Sequence, residues 1–275
     1  MKFSRRADVQ KANKSAGEMM QTKKLLKFSF SLACCFTALF LAYYFSELRN
    51  LRPRQIVSKI IGSTTAETQV VPTVEMQIAN YGSQTRERLQ NQFRSINKTY
   101  PPKEVVLVAI KDTKELQVYA RNNRSAFYYV CTYPILGASG ILGPKLKEGD
   151  RQVPEGIYKL TLEPNTPYHL ALRLNYPNEK DWTRAKADGR ESPGSDILIH
   201  GNTCSIGCLA MGDIVAEDLF VLVHDTVPQT SKLVIAPVDF RNREAPRLDA
   251  PPTWLPELYD EIKEALSEFP RPGKN

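Results

Sequence analysis

The chain has 275 residues, five cysteines and a formal charge of +7. The first 24 residues hold Lys2, Arg5, Arg6, Lys11, Lys14, Lys23 and Lys24 against Asp8 and Glu18, a net +5, so the remainder stands at only +2 and offers no basic face for nucleic acid. Cys34 and Cys35 fall in an apolar run, which leaves Cys131, Cys204 and Cys208, too few and too irregularly spaced for a disulfide scaffold.

Residues 1–24 read as a basic cytoplasmic tail. Residues 25–45, from Leu25 to Phe45, carry a single charge, Lys27, and are long enough to span a bilayer. With the positive flank ahead of it, this run is predicted to be an uncleaved transmembrane signal anchor whose N-terminus stays in the cytoplasm. Residues 46–74 lack steady periodicity and contain Gly62-Ser63-Thr64-Thr65-Ala66 and Pro72, so a linker is expected there.

Over 75–98, Ile78, Tyr81, Leu89, Phe93 and Ile96 recur at helical spacing, which predicts an amphipathic helix packed on the domain. A domain of strands follows over 100–240. Val105–Ile110 and Glu115–Tyr119 form a hairpin by length and composition. Further strands are predicted at Phe127–Cys131, Ile157–Leu162, His169–Leu174, Ile197–His200 and Leu233–Ala236. One inner helix is expected from Ile214 to His224 behind Gly212-Asp213, with Asp213 as a cap.

Two irregular stretches interrupt this order. Residues 137–154 are rich in Gly and Lys, and fit either a lid or a surface excursion. Residues 176–194 carry Asp181, Trp182, Arg184, Lys186, Asp188 and Arg190 and read as a solvated charged loop. In 241–275, a Pro-rich segment precedes Trp254, Leu255, Leu258, Ile262, Leu266 and Phe269 at near-helical spacing, which predicts a C-terminal helix.

The chemistry concentrates between residues 197 and 211. His200 closes an apolar strand, and a Ser205-Ile206-Gly207-Cys208 turn follows it. A thiol attacks an acyl carbon as thiolate, and an imidazole close by can take its proton and return it to a leaving amine. Gly207 permits a tight turn before Cys208, so the backbone amides of Gly207 and Cys208 are candidates to face an oxyanion. Ser205 is read as a support for that turn. Gly201 supplies a carbonyl for the second nitrogen of His200. His200, Cys204 and Cys208 could also be three metal donors, but no fourth ligand accompanies them and His169 and His224 stand alone, so neither metal nor cofactor is expected. Cys204 is read as a small apolar residue.

His200-Gly201 with Ser205-Ile206-Gly207-Cys208, together with Val153-Pro154-Glu155-Gly156-Ile157-Tyr158 upstream, resembles the signature of the L,D-transpeptidase catalytic domain, the YkuD family. Gly137-Ala138-Ser139-Gly140 and Leu142-Gly143-Pro144-Lys145-Leu146 resemble its YafK-like branch. Many members of the family carry a histidine directly before the Gly-Cys pair and an arginine two residues after it; Ile206 and Ala210 stand there in this chain. The resemblance implies a mostly β domain with few helices, a YkuD-like β-sandwich, behind the N-terminal transmembrane helix. It also implies a cysteine L,D-transpeptidase that acts on peptidoglycan stem peptides through a Cys208 thioester, with His200 as base and acid, in cell wall cross-linking or protein attachment. A hydrolase (amidase) releasing a wall-attached lipoprotein shares the first half-reaction, and a non-catalytic wall-binding module is the third reading. The expected partners are stem peptides, a wall-linked lipoprotein and the membrane. The expected location is the inner (cytoplasmic) membrane, single-pass, with the catalytic domain in the periplasm.

Overall fold

The structure is a computed structural model that describes residues 71–226 and 231–272. The predicted tail at 1–24, the signal anchor at 25–45 and nearly all of the linker lie outside the described residues. Among the described residues no helix is long and apolar enough to cross a membrane.

Eight strands form one sheet in the order β3-β2-β1-β8-β4-β5-β6-β7. They are β1 (Glu104–Ile110), β2 (Glu115–Arg121), β3 (Tyr128–Pro134), β4 (Gly156–Glu163), β5 (Ala171–Leu174), β6 (Leu198–His200), β7 (Leu209–Ala210) and β8 (Lys232–Ala236). The described helices are α1 (Val74–Ser95), α2 (Glu179–Ala187), α3 (Asp213–Asp225) and α4 (Leu255–Ser267).

A sandwich of two separately packed sheets is not what these strands build. The reason lies in β4, whose first half, Gly156 to Lys159, pairs with β8 while its second half, Leu160 to Glu163, pairs with β5. Both halves of the sheet therefore share one strand, and the sheet curls through it. At the centre, β1 is antiparallel to β2 and parallel to β8, and is buried on both faces. That explains its unbroken Val105-Val106-Leu107-Val108-Ala109-Ile110 run, since a strand covered on both sides has no polar face to show. Val105, Leu107 and Ala109 join a core roofed by Leu219 to Val223 of α3. Val106, Val108 and Ile110 face the opposite way, onto Leu255, Leu258, Tyr259, Ile262 and Leu266 of α4.

The predicted amphipathic helix is α1, capped by the Thr73 hydroxyl, which accepts from the Met76 amide at 3.3 Å. It buries Leu89 and Phe93, and it also binds α3 through charge. Arg86 donates both arms of its guanidinium to Asp225 at 2.6 and 2.7 Å, and Arg88 reaches Asp218 and Glu217. The Arg86–Asp225 fork is the strong bidentate geometry.

Two elements differ from expectation. The charged stretch 176–194 contains α2, started by an Asn178–Asp181 capping box and held to α4 by Arg184 on Glu261 at 3.0 Å. The spacing Asn178-x-x-Asp181 was the available sequence signal. Asp213 does not cap α3: the N-cap is Gly212, with φ of 79°, and no side chain caps the helix. Gly212 takes this left-handed conformation without the penalty of a Cβ.

Burial also sets two tests of stability. Lys111, in the β1–β2 turn, donates to the Gly143 and Val153 carbonyls and to Glu155, whose side chain is 0 % exposed. Glu155→Ala leaves that ammonium buried and unpaired, and is expected to cost about 3–5 kcal/mol in urea unfolding; a cost below about 1 kcal/mol would mean that Lys111 is solvated without its partner. Asp181 is held by burial at a pKa of about 6, above its unfolded value of about 3.9. The folded state then binds this proton more tightly, so the charged carboxylate lowers stability at neutral pH, and the penalty disappears as pH falls through about 6 towards 4. Asp181→Asn should therefore raise Tm at about pH 7.5 and lose that advantage near pH 4, read by calorimetry at both; a gain of equal size at both values would refute the assignment.

Candidate active site

β6 and β7 form a two-pair parallel ladder, Ile199 with Leu209 and His200 with Ala210. This register sets Cys208, one residue before β7, level with Leu198, and strand alternation turns the side chains of Cys208 and His200 to the same face. His200 is 1 % exposed. Its Nδ1 lies 2.6 Å from the Gly201 carbonyl oxygen. A carbonyl only accepts, so the proton sits on Nδ1 and Nε2 carries the free lone pair. The Tyr168 ring lies over the imidazole with centroids 4.6 Å apart. Burial lowers the His200 pKa below its ordinary value, while the bond to Gly201 pulls it back upward.

The Cys208 thiol accepts from the Leu198 amide at 3.4 Å and points to the Asp196 carbonyl at 3.6 Å. Among the described residues its hydrogen bonds go to these two groups, not to His200. Burial pushes the thiol pKa up, opposed by the Leu198 amide. The pair therefore rests as neutral thiol and neutral imidazole in the free protein.

The turn itself is closed by hydroxyls. Ser205 Oγ accepts from the Cys208 amide at 2.9 Å and donates to the Cys208 carbonyl at 2.7 Å. The Gly207 amide donates to Ser139 Oγ at 2.7 Å, and Ser139 donates in turn to the Arg151 carbonyl at 2.7 Å. Both amides read from the sequence as oxyanion donors are thus occupied by serine hydroxyls.

Residues that the sequence reading gave no part in the site also surround it. Asp213 accepts from the Asn202 amide at 2.7 Å, and the Gly212 amide donates to the Asn202 carbonyl at 2.8 Å, so the start of α3 holds the turn that follows His200. Arg151, His169, Asp196 and Asn202, all beside the site, have positive φ of 57°, 74°, 57° and 63°. Non-glycine residues pay strain for that conformation. A cleft of about 380 Å³ opens between Tyr168, Asn202, Thr203 and Asp213, without Cys208 or His200 in its lining. A larger one of about 920 Å³ lies between the 137–154 loop and the Pro-rich segment, lined by neither Cys208 nor His200.

The 137–154 loop is fastened along its length. Asp150 accepts from Lys145 Nζ and from the Leu146, Lys147 and Gln152 amides. The Gln152 side chain donates to the Ile141 carbonyl and accepts from its amide, while Ser139 ties the loop to the nucleophile turn. Cys131, Cys204 and Cys208 are free thiols. Cys204 is exposed, and burial pushes the Cys131 pKa up to about 12. Among the described residues no three His, Cys, Asp or Glu side chains form a group that could hold a metal, His200, Cys204 and Cys208 included.

The family model of the L,D-transpeptidase catalytic domain, YkuD, matches residues 103–235, from the start of β1 into β8. Over 122 residues the chain is 33 % identical to the putative L,D-transpeptidase YafK of Escherichia coli K12, an alignment that takes in 43 % of this chain and 47 % of the relative. Residues 103–235 thus match the YkuD domain, and the matched relative is of the YafK-like kind. The chain spans about half the length of the curated relatives it matches. Among solved structures, the chain is similar to the helical cell shape determining protein Pgp2 of Campylobacter jejuni, at 19 % identity and a TM-score of 0.40 over 64 % of this chain and 76 % of that one. It is also similar to Bd1075 of Bdellovibrio bacteriovorus, at 21 % and 0.36 over 62 % and 56 %.

Gly201 gives this YkuD site a direct test. A Cβ there would meet Asp213 Oδ1 at 2.6 Å and the Tyr168 carbonyl at 2.7 Å. Because one of these is backbone, Gly201→Ala should displace the His200 turn and cost about 1–3 kcal/mol, with loss of Cys208 acylation; a variant of wild-type Tm and wild-type acylation would show that the turn tolerates the shift.

Proposed function

We propose that the chain is a cysteine acyltransferase of peptidoglycan stem peptides, with Cys208 as nucleophile and His200 as the proton carrier. The observation that carries this reading is the fixed imidazole: Nδ1 is engaged by Gly201, leaving the Nε2 lone pair available on the sheet face that also bears the Cys208 thiol. Membership of residues 103–235 in the YkuD family supports the substrate class.

In the first half-reaction Cys208 Sγ attacks the carbonyl carbon of an L,D-peptide bond while His200 Nε2 takes the thiol proton. The carbonyl π bond opens to an oxyanion. When this intermediate collapses, the C–N bond breaks, His200 returns the proton to the departing amine, and a thioester remains on Cys208. An acceptor amine then attacks the thioester, gives its proton to His200 and releases the thiol. The Gly207 and Cys208 amides donate to Ser139 and Ser205 in the free protein, so either must exchange its serine oxygen for the oxyanion before it can stabilise it.

The acceptor decides between cross-linking of stem peptides, attachment of a protein to the wall, and hydrolysis when water takes the amine's place. With residues 25–45 as a membrane anchor, the site would work from the outer face of the inner membrane, in the periplasm, on wall material and on a wall-linked lipoprotein.

Mass spectrometry of the full chain incubated with purified muropeptides, and with peptidoglycan bearing a covalently attached lipoprotein, separates these outcomes. Cross-linked dimers that vanish in Cys208→Ala mark a transferase. Release of the protein-linked muropeptide without dimers marks a hydrolase. The absence of both products and of any thioester adduct at Cys208 would sink the proposal.

The resting neutral pair predicts the pH dependence. His200 is depressed below 6.5 and must be neutral to act as base, so acylation should hold steady down to about pH 6.5 and fall only below it. The thiol is raised above 9.0, so iodoacetamide labelling of Cys208 should still be climbing at about pH 9. A labelling plateau reached below about pH 8 would reveal a preformed thiolate instead.

A further inference from the structure

We propose that Arg151 binds a carboxylate of the substrate beside the scissile bond, an inference that rests on the acyl-transfer reading of Cys208. Arg151 stands against the nucleophile turn. Its carbonyl carbon lies 4.0 Å from where a Cβ on Gly207 would be, and the carbonyl of the following residue, Gln152, lies 3.6 Å away. A single hydroxyl, Ser139 Oγ, joins the two segments by donating to the Arg151 carbonyl and accepting from the Gly207 amide, both at 2.7 Å.

The backbone at Arg151 is forced into its conformation. Its φ is 57°, a region that favours glycine or asparagine. Asp150 imposes it by accepting from the Leu146 and Lys147 amides on one side and the Gln152 amide on the other, with Lys145 Nζ at 2.6 Å. Gly149, two residues earlier, adopts φ of 73° at no steric cost. A chain that needed only the bend at 151 had glycine available.

The arginine gains nothing inside the protein in return. Among the described residues its guanidinium makes no ion pair or hydrogen bond, and its side chain is exposed. The cations whose fields reach the Cys208 thiol are Arg173 and Lys145, and both are already satisfied. Arg173 is paired with Glu163 and Asp196, and Lys145 with Asp150 and the Lys147 carbonyl. Arg151 therefore carries a free, planar, five-donor fork on a backbone that lies against the nucleophile turn, and the group that fits such a fork is a carboxylate.

Isothermal titration of the full chain carrying Cys208→Ala tests this without turnover. The probes are a stem tetrapeptide with a free C-terminal carboxylate and the same peptide as its carboxamide. Arg151→Asn keeps a residue that tolerates the left-handed backbone and removes the charge. It should weaken binding of the acid by about ten- to a hundredfold and leave the amide unchanged. Arg151→Lys, which keeps charge but loses the fork, should fall between. The proposal is overturned if Arg151→Asn leaves the acid-to-amide ratio intact, if it weakens both peptides equally, or if the parent binds neither. An acyl adduct at Cys208 of the unmutated chain, with an unchanged ratio in Arg151→Asn, removes Arg151 alone; acid-selective binding without any adduct counts against Cys208 instead.

Discussion

Two backbone pairs, Ile199 with Leu209 and His200 with Ala210, hold the candidate active site in register. So short a ladder has little stability of its own, and it persists because its surroundings fix both ends. The Met211 amide donates to the His200 carbonyl at 2.8 Å, the Leu136 and Gly137 amides donate to the Ala210 carbonyl, and Asp213 holds Asn202. Slipping this pairing by one residue would turn Cys208 to the opposite face from His200, since the side-chain period of a strand is two.

Burial then decides the electrostatics. Removing His200 and Cys208 from water disfavours the charged form of each, and in opposite directions: the imidazole pKa falls and the thiol pKa rises. The site is consequently not a stored ion pair. In the proposed acylation, charge develops only as the thiol proton moves to the imidazole. Positive φ at Asp196 and Asn202 is part of how the chain delivers a carbonyl to the thiol and an amide to Asp213 in so little sequence.

Outside the site, charged groups attach the covering pieces to the sheet. Lys111 and Glu155 pin the 137–154 loop from below, Arg86 and Arg88 fix α1 on α3, and Arg184 links α2 to α4. Each pair joins segments far apart in sequence, and each is wholly or partly withdrawn from water, where losing one partner costs more than the intact pair contributes. These contacts set where the loop carrying Ser139 and Arg151 rests against the nucleophile turn.

The sequence by itself named the candidate pair, His200 and Cys208, and determined most of the strands. His200 and Cys208 were legible because a strand-ending histidine and a Gly-Cys turn lie within one short segment, and β1 was legible because a strand buried on both faces is apolar throughout. The helix at 74–95 was readable from its period, and the Asn178–Asp181 box that starts α2 was present but hidden among charges. Tertiary structure alone decided the rest. The single curled sheet follows from β4 dividing its hydrogen bonds between β8 and β5, a choice of partners that no local pattern encodes. Ser139 on Gly207, Asp213 on Asn202 and the Arg151 backbone against the turn are contacts between a loop, a helix start and the β6–β7 connection up to 68 residues apart, and the chain must fold before that hydroxyl and carboxylate meet their partners.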